Sequence, residues 1–154
     1  MAHLLDTPGG TARPGTIAAP PEVDVKSTVP SVLVKSARVL YAVISSCFVG
    51  GVLVQIFFAG IGAFGADWSW HLTFVHFLEP LPLLMVPAAF VGRLSWRLRL
   101  LPLALVFLVG VQYAFANTAV PAAALHPVNA VLIFLISLYM TGRAWAAVAG
   151  RRKG

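Results

Sequence analysis

Residues 100–142 contain 43 consecutive positions without an Asp, Glu, Lys or Arg. A helix crosses the ~30 Å hydrocarbon core of a bilayer with about 20 apolar residues, so this stretch holds two crossings. Residues 117–127 supply the polar and proline punctuation for a turn between them. A second uncharged run, of 28 residues, separates Arg38 from Asp67, and residues 68–92 carry a single charge, Glu79. The expected fold is therefore all-α, a transmembrane up-down-up-down four-helix bundle over residues 35–149, with spans at about 38–64, 68–92, 100–116 and 126–148. Composition points the same way: 59% of the residues are hydrophobic and 10% charged, against roughly 45–50% and about 25% in soluble domains. A 154-residue soluble domain has too little interior for so much apolar surface. The partner that absorbs it is the lipid bilayer.

Residues 1–34 are expected to form a disordered cytoplasmic tail, since residues 1–31 hold five prolines and three glycines and show no apolar period. The opening MAHLLDTPGG lacks the basic region and apolar core of a signal peptide. Residues 150–154 form a basic tail. The eleven Lys and Arg side chains all fall on one side of the four spans: Arg13, Lys26, Lys35 and Arg38 before the first, Arg93, Arg97 and Arg99 between the second and third, and Arg143, Arg151, Arg152 and Lys153 at the end. The positive-inside rule then puts both termini in the cytoplasm. Trp68 and Trp70 are placed at the outer interface, Trp96 and Trp145 at the inner one. The net charge of +6 thus sets topology; no folded basic surface with stacking aromatics exists to suggest nucleic acid. One cysteine, Cys47, excludes an intrachain disulfide and a cysteine metal cluster.

A polar or ionisable side chain within a span is costly, about 2.5–3.5 kcal/mol for a charge, and needs a partner or a purpose. The candidates are Gln55 in span one, His71, His76 and Glu79 in span two, Gln112 in span three, and His126 and Asn129 in span four. Gln55, His76, Gln112 and His126 lie within roughly 15 Å of the outer boundary at 1.5 Å of rise per residue. Spans two and four are diagonal in such a bundle, as are one and three. His76 and His126 are therefore expected to face each other, flanked by Gln55 and Gln112. Two imidazoles on diagonal helices at one depth suit a single six-coordinate b-type haem, with His76 and His126 as metal ligands. His71 sits about 140° around the helix from His76 and ranks behind it, at the solvated membrane edge. Glu79 lies one turn after His76, within reach of its second ring proton. Pro80 clashes with the carbonyl of His76 and is expected to deflect the helix there.

The same residues allow plainer readings. Intramembrane glutamines commonly serve as interhelical hydrogen-bond donors, and His126 before Pro127 has the form of an N-cap with proline at the first helical position. A histidine beside an acid is often only a satisfied pair. Gly50, Gly51, Gly60 and Gly62, with Ala59 and Ala63, suit close helix packing.

The segment VQIFFAGIGAFG, then WSWH with a second histidine at position 76, VQYA in span three and ALHPVNAVLI in span four resemble an uncharacterised family of small bacterial four-helix integral membrane proteins. The resemblance covers residues 41–143. It implies a multi-pass protein of a bacterial inner (plasma) membrane. The order Gln, His, Gln, His also resembles one half of the haem A synthase bundle, which would assign Gln55, His76, Gln112 and His126 to the surroundings of haem b. This chain lacks the Glu-x-x-His-Arg motif of that enzyme and has Glu79-Pro80 after its histidine, so synthase activity is not implied.

The leading expectation is a haem-binding membrane protein for electron transfer or redox sensing, with a membrane redox partner. The alternatives are a non-catalytic membrane subunit or structural protein of a larger complex, and a small transporter or quinone-site protein using Glu79.

Overall fold

The computed structural model describes residues 31–150. Of the tails expected at residues 1–34 and 150–154, residues 1–30 and 151–154 lie outside the described residues.

Helix α1 spans Val32–Ala63. It starts ahead of Arg38, within the stretch assigned to the tail, because the Ser31 hydroxyl accepts from the Val34 amide at 3.4 Å and caps the first turn. Gly65, at a φ of 99°, turns the chain in a conformation that favours glycine, and Ala66 N–H closes back on the Ile61 carbonyl at 3.0 Å. Asp67 then takes the Ser69 amide at 3.0 Å at the head of α2, Ser69–Leu78. Helix α3 is Pro80–Val91. In span two the helical hydrogen-bond ladder is interrupted at Glu79, since Pro80 and Pro82 have no amide hydrogen for the carbonyls of His76 and Leu78, while the backbone of Glu79 itself stays helical at a φ of −53° and a ψ of −42°. Arg93, with a φ of 50°, ends α3 in the left-handed region, and the Leu94 amide reaches back to the Ala89 carbonyl at 3.0 Å. Helix α4 is Trp96–Ala116; a single 3₁₀ turn, Ala122–Ala124, leads into α5, Leu125–Val148.

With α2 and α3 taken together, four helical segments are long and apolar enough to cross a membrane. Helix α1 packs on α3 and α5, and α4 on the same two. The backbones of α1 and α4, and those of α3 and α5, do not approach each other closely, so these pairs are the diagonals of an all-α bundle. Large apolar side chains such as Phe57, Phe77, Phe107 and Leu135 point outward, as lipid requires.

The tightest packing lies toward the basic end. Tyr41, Phe48, Met85, Leu105 and Met140 are fully buried there, and the buried Ser45 and Ser137 hydroxyls donate to carbonyls of their own helices at 3.0 and 2.8 Å. Tyr41 reaches across the α1–α4 diagonal to donate to the Leu98 carbonyl at 2.9 Å. Arg38 and Arg99 close the α3–α4 turn by donating to the carbonyls of Gly92 and Leu94, each at 2.8 Å. The opposite end is looser. Helix α1 has no buried residue between Val52 and Gly62, and α4 has none beyond Leu105.

Candidate functional site

In the looser half, two glutamine–histidine pairs are built alike. Gln55 Nε2 on α1 donates to the His71 carbonyl on α2 at 2.7 Å, and His71 Nδ1 lies 3.2 Å from the Gln55 carbonyl. Gln112 Nε2 on α4 donates to the His126 carbonyl on α5 at 3.0 Å, and His126 Nδ1 lies 3.1 Å from the Gln112 carbonyl. Each glutamine stands late in one helix, within the repeated string VQ-x-x-FA, and each histidine stands near the start of the next. The two helical hairpins thus repeat one reciprocal clasp.

The clasp settles the tautomer. A carbonyl oxygen only accepts, so both Nδ1 atoms carry hydrogen, and Nε2 of each neutral ring keeps a free lone pair. Backbone-tethered Nδ1 is also the usual second contact of a metal-bound histidine, because it fixes the ring and raises the basicity of the ligating nitrogen.

The rings of His71 and His126 face each other across the α2–α5 diagonal, with centroids 6.3 Å apart and planes inclined by 54°. The expected pairing of His76 with His126 is therefore corrected to His71 with His126. The reason lies in the helix period: only one of two residues 140° apart can face inward, and Gln55 holds His71 there. The Trp68 ring meets His71 edge-on at 5.6 Å and backs it from the connecting loop. His76 is exposed and lies beside Glu79 instead, Nδ1 to Oε1 at 3.3 Å. His126 is not an N-cap; it is the second residue of α5, after Ala124 at the cap and Leu125.

The two glutamines differ in their remaining oxygen. Gln112 Oε1 accepts from Asn129 Nδ2, which also donates to the Leu108 carbonyl at 2.9 Å. Gln55 Oε1 is buried with no partner. The residue three places after His71, where Asn129 follows His126, is Phe74, which packs on Phe58. Asn129 was among the polar candidates, but its service to Gln112 became visible only with the α4–α5 contact.

The described residues contain no group of three or more His, Cys, Asp or Glu able to hold a metal ion. Two imidazoles are too few ligands for a bare zinc ion, which takes three or four from protein. A haem iron brings four nitrogens of its own and needs two axial ligands. An iron–nitrogen bond of about 2.0 Å plus about 1.1 Å to the ring centre, on each side, separates two axial rings by roughly 6 Å. The observed separation of 6.3 Å is close to that value.

The model of a family of unknown function, DUF6220, matches residues 55–120, a stretch that includes Gln55, His71, His76, Glu79 and Gln112. No curated protein and no solved structure matches the chain. The resemblance to half of the haem A synthase bundle has no counterpart among these findings.

Proposed function

We propose that this four-span membrane protein binds one b-type haem between His71 and His126 and serves in electron transfer or redox sensing within the bilayer. The reading rests on the facing pair of imidazoles, each with Nδ1 tied to a glutamine carbonyl. His71 and His126 would hold the group through their Nε2 atoms. The bound group would supply reversible one-electron chemistry. The chain's own part is to hold. The Gln55 and Gln112 backbones keep both rings in one tautomer, their side-chain amides pin each histidine carbonyl to the neighbouring helix, and Trp68 blocks His71 from swinging toward the loop. The basic end is assigned to the cytoplasm of a bacterial inner membrane, with both termini inside and the histidine pair toward the outer face. The exchange partner would be a membrane redox protein.

The reduced-minus-oxidised optical spectrum of protein purified from haem-replete cells tests this. A Soret and α-band pair is expected, lost in His71→Ala and in His126→Ala and retained in His76→Ala. A colourless preparation refutes the proposal. Bands that survive His71→Ala but vanish with His76→Ala refute the ligand assignment.

A second reading is a non-catalytic or structural subunit of a larger complex. It is favoured by the interhelical bonds that Gln55 and Gln112 already make, which would tie the bundle with no cofactor present. The same spectrum separates the two.

A further inference from the structure

A second polar cluster lies on the outside of the bundle. The Tyr113 hydroxyl on α4 donates to Glu79 Oε1 at the α2–α3 junction, and His76 Nδ1 on α2 approaches the same oxygen at 3.3 Å. His76 is 67% exposed, Glu79 34%, and Tyr113 is exposed as well. Glu79 lies ten residues into the Ser69–Val91 span, about 15 Å along the axis, which is midway through a ~30 Å hydrocarbon core. Glu79 and His76 thus present an acid and an imidazole to the lipid inside the span, where polar groups are costly, and the phenol of Tyr113 joins them from near the outer end of α4.

Their free valences are all of one kind. With Glu79 Oε1 taking the Tyr113 hydroxyl and the His76 Nδ1 hydrogen, the cluster offers outward the His76 Nε2 lone pair and Glu79 Oε2. The His76 carbonyl joins them, because Pro80 stands where its helical donor would be. Lipid tails satisfy none of these acceptors. An occupant must arrive through the bilayer, bring O–H or N–H donors on a compact head, and leave an apolar remainder among exposed side chains such as Phe77.

We propose that the His76–Glu79–Tyr113 face binds the headgroup of a membrane quinol, a dihydroxy aromatic ring on an isoprenoid tail. One quinol hydroxyl donates to His76 Nε2. Glu79 holds the imidazole in the tautomer that accepts, and Tyr113 fixes Glu79 against α4. The proposal concerns binding alone and does not rest on the haem reading, since the cluster shares no residue with the His71–His126 pair.

The test is binding of decylubiquinol, under reducing conditions, to the full chain in lipid nanodiscs, measured against empty discs and against the di-O-methyl ether of the same quinol. Saturable binding is expected, at least tenfold weaker for the ether and tenfold weaker in His76→Phe and in Glu79→Leu. His76 is exposed enough for its variant to keep the fold, and the ether comparison uses the wild-type protein alone. Partition equal to that of empty discs, or equal binding of quinol and ether, overturns the proposal. So does a dimer that dissociates in His76→Phe, which would give this face to a second copy.

Discussion

Replacing Gln112 by leucine should destabilise the bundle by about 1 kcal/mol more than the same change at Gln55, although the two residues hold equivalent places. An interhelical hydrogen bond within a membrane contributes about 0.6 kcal/mol on average and at most about 1.7. Gln55→Leu removes one such bond, from Nε2 to the His71 carbonyl. It also removes Oε1, which is buried without a partner and costs about 1 kcal/mol as it stands. The two effects offset each other, and the variant should match the wild type to within about 0.5 kcal/mol. Gln112→Leu removes the bond to the His126 carbonyl and the acceptor of Asn129, whose amide is left with the Leu108 carbonyl alone. That loss is about 1.2 kcal/mol with nothing regained. The difference corresponds to roughly fivefold in the unfolding equilibrium. Reversible unfolding by dodecyl sulfate in mixed micelles measures it, on protein from haem-deficient cells so that ligand linkage does not enter. Equal costs, or a larger cost at Gln55, would refute the asymmetry of the two clasps.

Four further outcomes follow from particular contacts. A Cβ on Gly62 would stand 2.8 Å from the Trp68 ring, whereas one on Gly60 meets nothing within 4 Å; Gly62→Ala should cost about 1–3 kcal/mol and lower any haem occupancy through Trp68 and His71, and Gly60→Ala should be neutral or slightly stabilising in the same unfolding assay. Tyr41→Phe removes the fully buried hydroxyl that reaches Leu98 and should cost about 1 kcal/mol without altering the optical spectrum. The Ser69 hydroxyl and amide hold the Asp67 carboxyl below its ordinary range; what this adds to stability is present above the unfolded carboxylate pKa and lost as pH falls through the lowered one, and Ser69→Ala should return the Asp67 carboxyl resonance toward the ordinary titration range. Single cysteines at Gly65 and Thr118, in a Cys47→Ala background, should react with an impermeant maleimide from the outside of intact cells, and one at Ser95 should not; the reverse pattern would invert the assigned orientation.

The long uncharged runs, with arginines between them, determine four crossings and which loops share an end, because hydrocarbon excludes charge and unpaired backbone alike. They also bring Gln55, Gln112 and His126 to one end, since depth along a helix follows from counting residues. Rotation about the helix axis is not written this way. A helix with apolar side chains on all sides carries no strong signal for which face turns inward, and span two offers two histidines 140° apart. The tertiary contacts decide between them. Gln55 reaches across from α1 and takes hold of the backbone at His71, Trp68 packs behind the ring, and His76 is left outside with Glu79 and Tyr113. The helix boundaries were similarly local matters: Ser31 starts α1 ahead of the expected span, and the turn Ala122–Ala124 moves the cap of α5 from His126 to Ala124. The sequence alone determined how deep each polar group lies; only the packing of neighbouring helices decided which of them meet, because depth adds up along one chain while facing depends on two.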